Sequence, residues 1–140
     1  AVRLLAYAVV HDPGRAIHPV IVEGQLQGGA VQGIGAGLME TVVYDESGQL
    51  VTGSLMDYAL PRADELPPIP VALVEHPSVI NELGVKGVGE SGAIPGAAAI
   101  ANAVEDALAD LGVTVREVPV AAGRLVSGSI GSVALPHAER

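Results

Sequence analysis

The chain has 140 residues, which is enough for one compact domain or for a segment of a larger one. It carries 7 basic and 16 acidic residues, and its formal net charge of -9 argues against binding to nucleic-acid phosphates or to an anionic membrane surface. The sequence has no cysteine, so it can form no disulfide, thiolate zinc site or iron–sulfur cluster. Its opening residues lack the basic and then apolar pattern of a signal peptide, so none is expected.

The first part of the chain predicts a strand followed by a long helix. An apolar run over residues 3–10 predicts the strand, which ends at the turn-forming sequence Asp12-Pro13-Gly14. Residues 20–40 predict the helix, and glycines at four-residue intervals on one of its faces would let another backbone pack closely: Gly29, Gly33 and Gly37. Polar residues, among them Glu23 and Gln27, interrupt this helix and argue against a membrane span.

The remaining elements follow from turn residues and apolar periodicity. Residues 41–55 predict a hairpin, and proline-rich residues 60–70 predict an extended connection. Further along we expect a strand at 71–75, a glycine-rich loop at 84–92, a helix at 94–111, a strand at 113–118 and a tail from 119 to 140 without assigned structure. In the second helix an apolar stripe is formed by Ile100, Val104, Leu108 and Leu111. The order of elements predicts an α+β fold with helices packed on a mixed β-sheet.

Glu90 is the first candidate for chemistry. It lies in the sequence Gly87-Val88-Gly89-Glu90-Ser91-Gly92, directly before the second predicted helix. Glycine-rich backbone near the positive end of a helix can direct several N–H groups at an anion, and a carboxylate with small neighbours is open to a substrate as a general base. The alternatives are an ordinary glycine-rich helix start with a solvated glutamate, or a phosphate-binding loop, although the Gly-Lys-Ser/Thr order of a nucleotide P-loop is absent.

Two glutamines of the first helix form the second candidate. Gln25 and Gln32 are seven residues apart, with Gly28 and Gly29 between them, so two neutral amides can project over bare backbone. Such a surface suits a heterocyclic cofactor that needs uncharged donors and acceptors, and the alternative is ordinary helix-surface glutamine. The four histidines show no ligand spacing with carboxylates, so we expect no metal bound directly by side chains.

Three motifs taken together resemble one known family. They are Asp12-Pro13-Gly14 continuing to Glu23-Gly24-Gln25, then Asp57-Tyr58-x-x-Pro61, then Gly87-Val88-Gly89-Glu90 followed by a helix of small residues. In this order and spacing the chain resembles the C-terminal part of the molybdopterin-binding large subunit of the xanthine dehydrogenase, aldehyde oxidase and carbon monoxide dehydrogenase family. The resemblance covers about residues 3–128.

The resemblance implies a role for each matching residue. Glu90 would be the active-site base, Gln25 with Gly24 would contact the cofactor, and Gly87, Val88 and Gly89 would lie beside the metal's own ligands. The implied cofactor is molybdenum-molybdopterin in its cytosine dinucleotide form. The implied reaction is the oxidation of a carbon centre with oxygen from water, the substrate being an aldehyde, an N-heterocycle or carbon monoxide.

The resemblance also implies partners, because other segments of that family are absent here. We expect residues 1–140 to be a C-terminal fragment that is inactive alone and works with the remainder of the large subunit, with iron–sulfur and FAD subunits or domains, and with a small-molecule substrate. A cytoplasmic location and self-association of the fragment through bare apolar surface are further expectations. The alternative is a non-catalytic binding or assembly module that keeps the fold without the chemistry.

Overall fold

The computed structural model describes residues 2–120 and residue 125, and within them two α-helices pack beside a small sheet. The elements in chain order are β1 (Val9–His11), α1 (Pro19–Leu38), β2 (Val71–Leu73), α2 (Gly96–Ala107) and a 3₁₀ helix (Ala109–Leu111). Helices packed with a sheet confirm the predicted fold class. The tail predicted for residues 119–140 lies outside the described residues, apart from residues 119, 120 and 125.

The sheet consists of β1 and β2, which run parallel with Val9 opposite Val71 and His11 opposite Leu73. Within the described residues it is therefore parallel and narrow, where the sequence predicted a wider mixed sheet. The first predicted strand was too long, since only Val9 and Val10 of residues 3–10 lie in β1. The parallel pairing has one consequence for the site: the chain leaves both strands at the same edge of the sheet.

The strand predicted at residues 113–118 was wrong. These residues form no strand, and the N–H of Val115 donates to the Glu105 carboxylate of α2 at 2.6 Å. A side chain therefore takes the donor that a sheet ladder would have used. The hairpin predicted at 41–55 is present in reduced form, as a single antiparallel bridge between Tyr44 and Leu50 whose turn is held by the Asp45 carboxylate.

The long helix α1 begins at Pro19, where the fixed φ of proline suits the first turn and its missing N–H costs nothing. It ends where the N–H groups of Met39 and Glu40 both donate to the carbonyl of Gly35. These bounds confirm the prediction of residues 20–40 to within two residues at each end. Its buried face is made of small and aliphatic residues: Val22, Leu26, Ala30, Gly33, Ile34, Gly35 and Gly37.

The glycines of α1 bring its backbone into contact with the segment that leads into α2. A Cβ built on Gly33 would lie 2.8 Å from the Ala93 carbonyl oxygen and 2.9 Å from the Gly96 Cα. A Cβ built on Gly29 would lie 2.9 Å from the Ala93 nitrogen. Real Cβ atoms do not approach backbone this closely, so the predicted close packing along the glycine stripe is confirmed.

The second helix is shorter than predicted, and its apolar stripe packs into the core. Ile100 and Val104 are buried together with Ile34 and Val120, and Leu108 packs against this cluster. Leu111 is 66% exposed, so its assignment to the buried stripe was wrong. After Ala107 the chain continues into the 3₁₀ helix, which ends at Gly112. The φ of Gly112 is +63°, the left-handed conformation that favours glycine.

No helix within the described part of the chain has both the length and the hydropathy needed to cross a membrane.

Two alanine substitutions in α1 test the close packing. Gly33→Ala should destabilise the fold by about 1–3 kcal/mol, because the new methyl group meets backbone that cannot move aside. Gly28→Ala is the matched control, since a Cβ there has nothing within 4 Å; it should stabilise the helix by about 0.5–1 kcal/mol. Urea unfolding of both variants, followed by circular dichroism, measures the difference. Equal stabilities of the two variants would contradict the proposed backbone contact.

Candidate functional site

The glycine-rich loop at residues 84–92 starts against the turn that follows β1. The Lys86 N–H donates to the Pro13 carbonyl at 2.9 Å, and the Arg15 N–H donates to the Gly84 carbonyl at 2.9 Å. Gly14 and Val85 form an antiparallel bridge between these two hydrogen bonds. The start of the loop is thus fixed to the carboxyl end of β1 by main-chain hydrogen bonds.

Asp12 joins three segments at this edge of the sheet. One carboxylate oxygen accepts the N–H groups of Gly14 at 2.9 Å and of His76 at 3.1 Å, and the other pairs with the Lys86 ammonium at 2.5 Å. The hydrogen bond from Lys86, followed by those from the two N–H groups, holds the pKa of Asp12 well below its usual range. Asp12 therefore stays ionised at pH values where ordinary carboxylates are protonated.

Two side chains hold the carbonyl groups of the loop further along. The His11 ring Nε2 lies 3.3 Å from the Gly87 carbonyl oxygen, and the Gln25 Nε2 donates to the Gly89 carbonyl at 3.3 Å. The structure thus brings together the predicted cofactor-contact glutamine and the predicted loop, which are 64 residues apart in the sequence. The amide oxygen of Gln25 takes no hydrogen bond from any described residue.

The end of the loop packs directly on α1. A Cβ built on Gly92 would lie 2.9 Å from the Ala30 nitrogen and 3.0 Å from the Leu26 carbonyl carbon. Only glycine allows this approach, which places the loop beside the helical turn that carries Gln25. The glycine stripe of α1 therefore sets the distance between the glutamine amide and the residues around Glu90.

Glu90 lies at the exposed tip of the loop. Its carboxylate forms no hydrogen bond or ion pair with any residue that the structure describes, whereas its carbonyl accepts the Ala93 N–H at 2.9 Å. The turn around it is closed by the Ser91 N–H, which donates to the Val88 carbonyl at 2.7 Å. The backbone at Glu90 is therefore held while its acid group is open to an incoming molecule.

Two glycines of the loop and one of α1 have open space beside their backbone. A Cβ built on Gly87, Gly89 or Gly24 would meet no atom within 4 Å, so a flat ligand group can approach the backbone there. Within residues 2–120 and 125, no group of three or more histidine or acidic side chains is arranged to hold a metal ion. The site offers a neutral amide, exposed glycine backbone and one carboxylate. These groups suit a cofactor whose metal is held by ligands that belong to the cofactor.

Sequence reasoning missed part of this arrangement and overestimated another part. Gln32 makes no hydrogen bond to a described residue, so of the two predicted glutamines only Gln25 contacts the loop. The hydrogen bonds of Asp12, His11 and His76 were missed because residues 11–14 were interpreted as a turn and a family motif, and His76 only as the end of a strand. The available signal was an acid just after a predicted strand together with Lys86, the single lysine of the chain, within the loop.

Comparison with known proteins shows where this site belongs. A family model described as "Molybdopterin cofactor-binding domain" matches residues 1–67. The chain is 47% identical over 126 residues to the nicotine 6-hydroxylase large subunit of Paenarthrobacter nicotinovorans, covering 90% of this chain and 15% of the relative. The chain corresponds to a segment of the molybdopterin-binding large subunits of the xanthine dehydrogenase, carbon monoxide dehydrogenase and aldehyde oxidoreductase family.

Solved structures of two oxidoreductases share its fold. The match to quinoline 2-oxidoreductase from Pseudomonas putida 86 has a TM-score of 0.80 at 47% identity and covers 84% of this chain and 15% of that one. The match to carbon monoxide dehydrogenase from Oligotropha carboxidovorans has a TM-score of 0.84 at 34% identity and covers 91% of this chain and 16% of that one. The chain thus spans about 15% of the length of the large subunits it matches.

The hydrogen bond from Gln25 to the loop can be tested by amide exchange. Gln25→Ala removes the donor to the Gly89 carbonyl, so amide exchange at residues 87–92 should rise about twofold to tenfold, as expected for one modest hydrogen bond. Gln27→Ala is the control, because Gln27 donates to the Ile69 carbonyl at 3.0 Å and not to the loop. Hydrogen–deuterium exchange with mass spectrometry measures both. Equal exchange of the loop in the two variants would exclude the contact.

The ionisation of Asp12 gives a prediction about pH. Its lowered pKa means that the unfolded chain takes up a proton near pH 3.9 while the folded chain does not. The stability that Asp12 contributes is therefore present above that pH and is lost as the pH falls towards the folded-state pKa. Titration followed by the ¹³C shift of the Asp12 carboxyl should give a midpoint below the usual value, and Lys86→Met should raise it. An unshifted midpoint in the unsubstituted chain would contradict the ion pair.

Proposed function

We propose that this segment supplies the base and a cofactor contact to the active site of a molybdenum hydroxylase. The observation that carries the proposal is the hydrogen bond from the Gln25 amide to the Gly89 carbonyl, which places a helix amide beside the residue that precedes Glu90. These neighbouring groups therefore offer a neutral amide, open glycine backbone and a carboxylate that no described residue pairs with.

The residues that would hold the cofactor follow from this surface. The Gln25 amide oxygen accepts no hydrogen bond from residues 2–120 or 125, and Gly24, Gly87 and Gly89 leave room for a flat group against the backbone, with Val88 between the two loop glycines. When bound, molybdenum-molybdopterin supplies the oxidation chemistry by accepting the electrons that leave the substrate. The cytosine dinucleotide form is part of the proposal and rests on the resemblance in sequence.

Glu90 would act as the general base. Its carboxylate oxygen accepts the proton that leaves a water-derived oxygen as that oxygen is added to the substrate carbon. Its hydrogen-bonded backbone, and a side chain without an ion pair to any described residue, suit this task, because a base must keep its position while its oxygens accept the incoming proton. A carboxylate bound in an ion pair would first have to leave its partner.

The substrate class that we propose is an N-heteroaromatic ring oxidised at a carbon. Two relatives at 47% identity carry such substrates in their names, nicotine and quinoline. A heteroaromatic carbon next to nitrogen is electron-poor, so it accepts an incoming oxygen nucleophile. Among the three substrate classes expected from the sequence, these relatives favour the N-heterocycle.

The partners that we propose are the remainder of the large subunit and the iron–sulfur and FAD components that carry electrons away. Relatives are named as parts of complexes, such as subunit gamma of the 6-hydroxypseudooxynicotine dehydrogenase complex. Exposed apolar side chains also indicate contact with further protein, since Met56, Val79 and Ile80 are each at least 90% exposed. The remainder of the subunit would bury them. Self-association of the segment alone and a cytoplasmic location stay predictions.

Substitution of the base in the complete enzyme tests the proposal. Glu90→Gln should leave the molybdenum and pterin content unchanged and lower turnover by about 10²–10⁴-fold, the usual contribution of a general base. Glu82→Gln, at an exposed acid eight residues earlier, is the control and should change turnover less than twofold. Metal analysis and steady-state kinetics with an N-heteroaromatic substrate measure both effects. Unchanged turnover in Glu90→Gln would support the alternative of a non-catalytic module.

A further inference from the structure

The ion pair between Asp12 and Lys86 connects the sheet to the loop of the proposed base. Lys86 is four residues before Glu90 and directly precedes Gly87, the first residue of the open glycine stretch. Its ammonium lies 2.5 Å from the Asp12 carboxylate, and both side chains are only partly exposed, at 39% and 33%. The ion pair is thus a side-chain contact between the turn that follows β1 and the start of the loop.

The two carboxylate oxygens of Asp12 have separate tasks. One oxygen accepts the main-chain N–H groups of Gly14 and His76 and so joins the turns that follow β1 and β2. The other faces Lys86, with the His76 ring Nδ1 at 3.5 Å as a second neighbour. Removal of the lysine ammonium would therefore leave the junction of the two turns in place and remove only the charged side-chain contact to the loop.

Neutral contacts hold the loop on both sides of Lys86. Before it, the Asn81 side chain exchanges two hydrogen bonds of 3.0 Å with the main chain of Val85, and the main chain is bridged to residues 13–15. After it, the Gly87 carbonyl lies 3.3 Å from the His11 ring and accepts the Ser91 hydroxyl at 3.4 Å, and the Gly89 carbonyl accepts the Gln25 amide at 3.3 Å. Glycines at 87 and 89 restrict the backbone little, so the direction in which the chain leaves Lys86 decides where Glu90 lies. A short charged contact at Lys86 fixes that direction better than the longer neutral ones.

We propose that Asp12 and Lys86 are positioning residues for Glu90: their ion pair holds the start of the glycine loop so that the carboxylate four residues later keeps its place. This inference rests on the proposed function, because it gives the pair a task only if Glu90 is the base. Neither residue touches the reacting atoms. The reaction slows when a general base is displaced from its position. Loss of the ion pair should therefore lower turnover, although neither residue contacts the reacting atoms.

The test is Lys86→Met in the complete enzyme, with Lys86→Arg as the conservative variant. Lys86→Met should lower kcat about 10–100-fold with KM changed less than threefold, while melting temperature and cofactor content stay near those of the unsubstituted enzyme. Lys86→Arg should recover most of the rate, because a guanidinium can still reach the carboxylate. Arg62→Met is the matched control: it removes an exposed ion pair with Glu65, at 3.2 Å, far from the loop in sequence.

A second readout does not depend on activity. In enzyme prepared without cofactor, hydrogen–deuterium exchange of residues 86–92 should rise severalfold in Lys86→Met and in Asp12→Asn, and should stay unchanged in Arg62→Met. Unchanged exchange in both variants overturns the proposal whatever the kinetics show. Loss of cofactor in Lys86→Met also overturns it, because the pair would then serve cofactor binding or folding.

The kinetic outcomes separate this inference from the proposed function. If Glu90→Gln loses turnover while Lys86→Met keeps it, the positioning role is overturned and the base assignment stands. If Glu90→Gln keeps turnover, the base assignment fails, and the positioning role fails with it. Lys86→Met and Asp12→Asn should each lower kcat. Effects that are not additive in the double variant support the pair acting as one unit.

Discussion

Contact between two backbones, made without any intervening Cβ atoms, is the constraint on which this structure depends. Gly29 and Gly33 of α1 face Gly92, Ala93 and Gly96, and added methyl groups would collide with main-chain atoms of the opposite segment. This contact seats the start of α2, so Ile100 and Val104 reach the core beside Ile34. It also seats the end of the glycine loop. Core packing and site geometry are therefore set by the same few glycines, and a change that separates the two backbones would alter both.

The second constraint is the parallel pairing of the two short strands. Because β1 and β2 run in the same direction, the turns after them emerge at one edge, where Asp12 joins them through the N–H groups of Gly14 and His76. The loop that carries Glu90 starts against the first of these turns and ends against α1. It is thus held at both ends by different parts of the fold, while its glycine-rich middle stays open. That combination permits a fixed backbone position with an accessible acid.

Local sequence was sufficient for features that depend on local chemistry. The bounds of α1, its glycine stripe and the loop before α2 follow from periodicity, from Pro19 and from glycine spacing, and the structure shows all three.

Features that depend on a distant partner were not predictable in this way. The apolar run over residues 3–10 is paired only where β2 reaches it, and residues 113–118 lost their strand because Glu105 took the N–H of Val115. The ion pair of Asp12 with Lys86 joins residues 74 positions apart, which no short motif records. The expected meeting of Gln25 with the loop came from family resemblance and not from periodicity.

The exposure of Glu90 has a physical meaning when set beside the exposed apolar side chains of the same segment. A carboxylate in water is well hydrated, and its hydration must be removed before it becomes an efficient base. This segment by itself fixes where the acid lies but leaves water around it. Met56, Val79 and Ile80 are each at least 90% exposed and the segment spans only about 15% of the large subunits it matches, so on the proposed function the remainder of the subunit would cover them. Position and desolvation are therefore supplied by different parts of the proposed active site: the glycine contacts of this segment provide the first, and the covering remainder of the subunit provides the second. On the proposed function, such a division would make Glu90 reactive only in the assembled enzyme, where cofactor and substrate are also present.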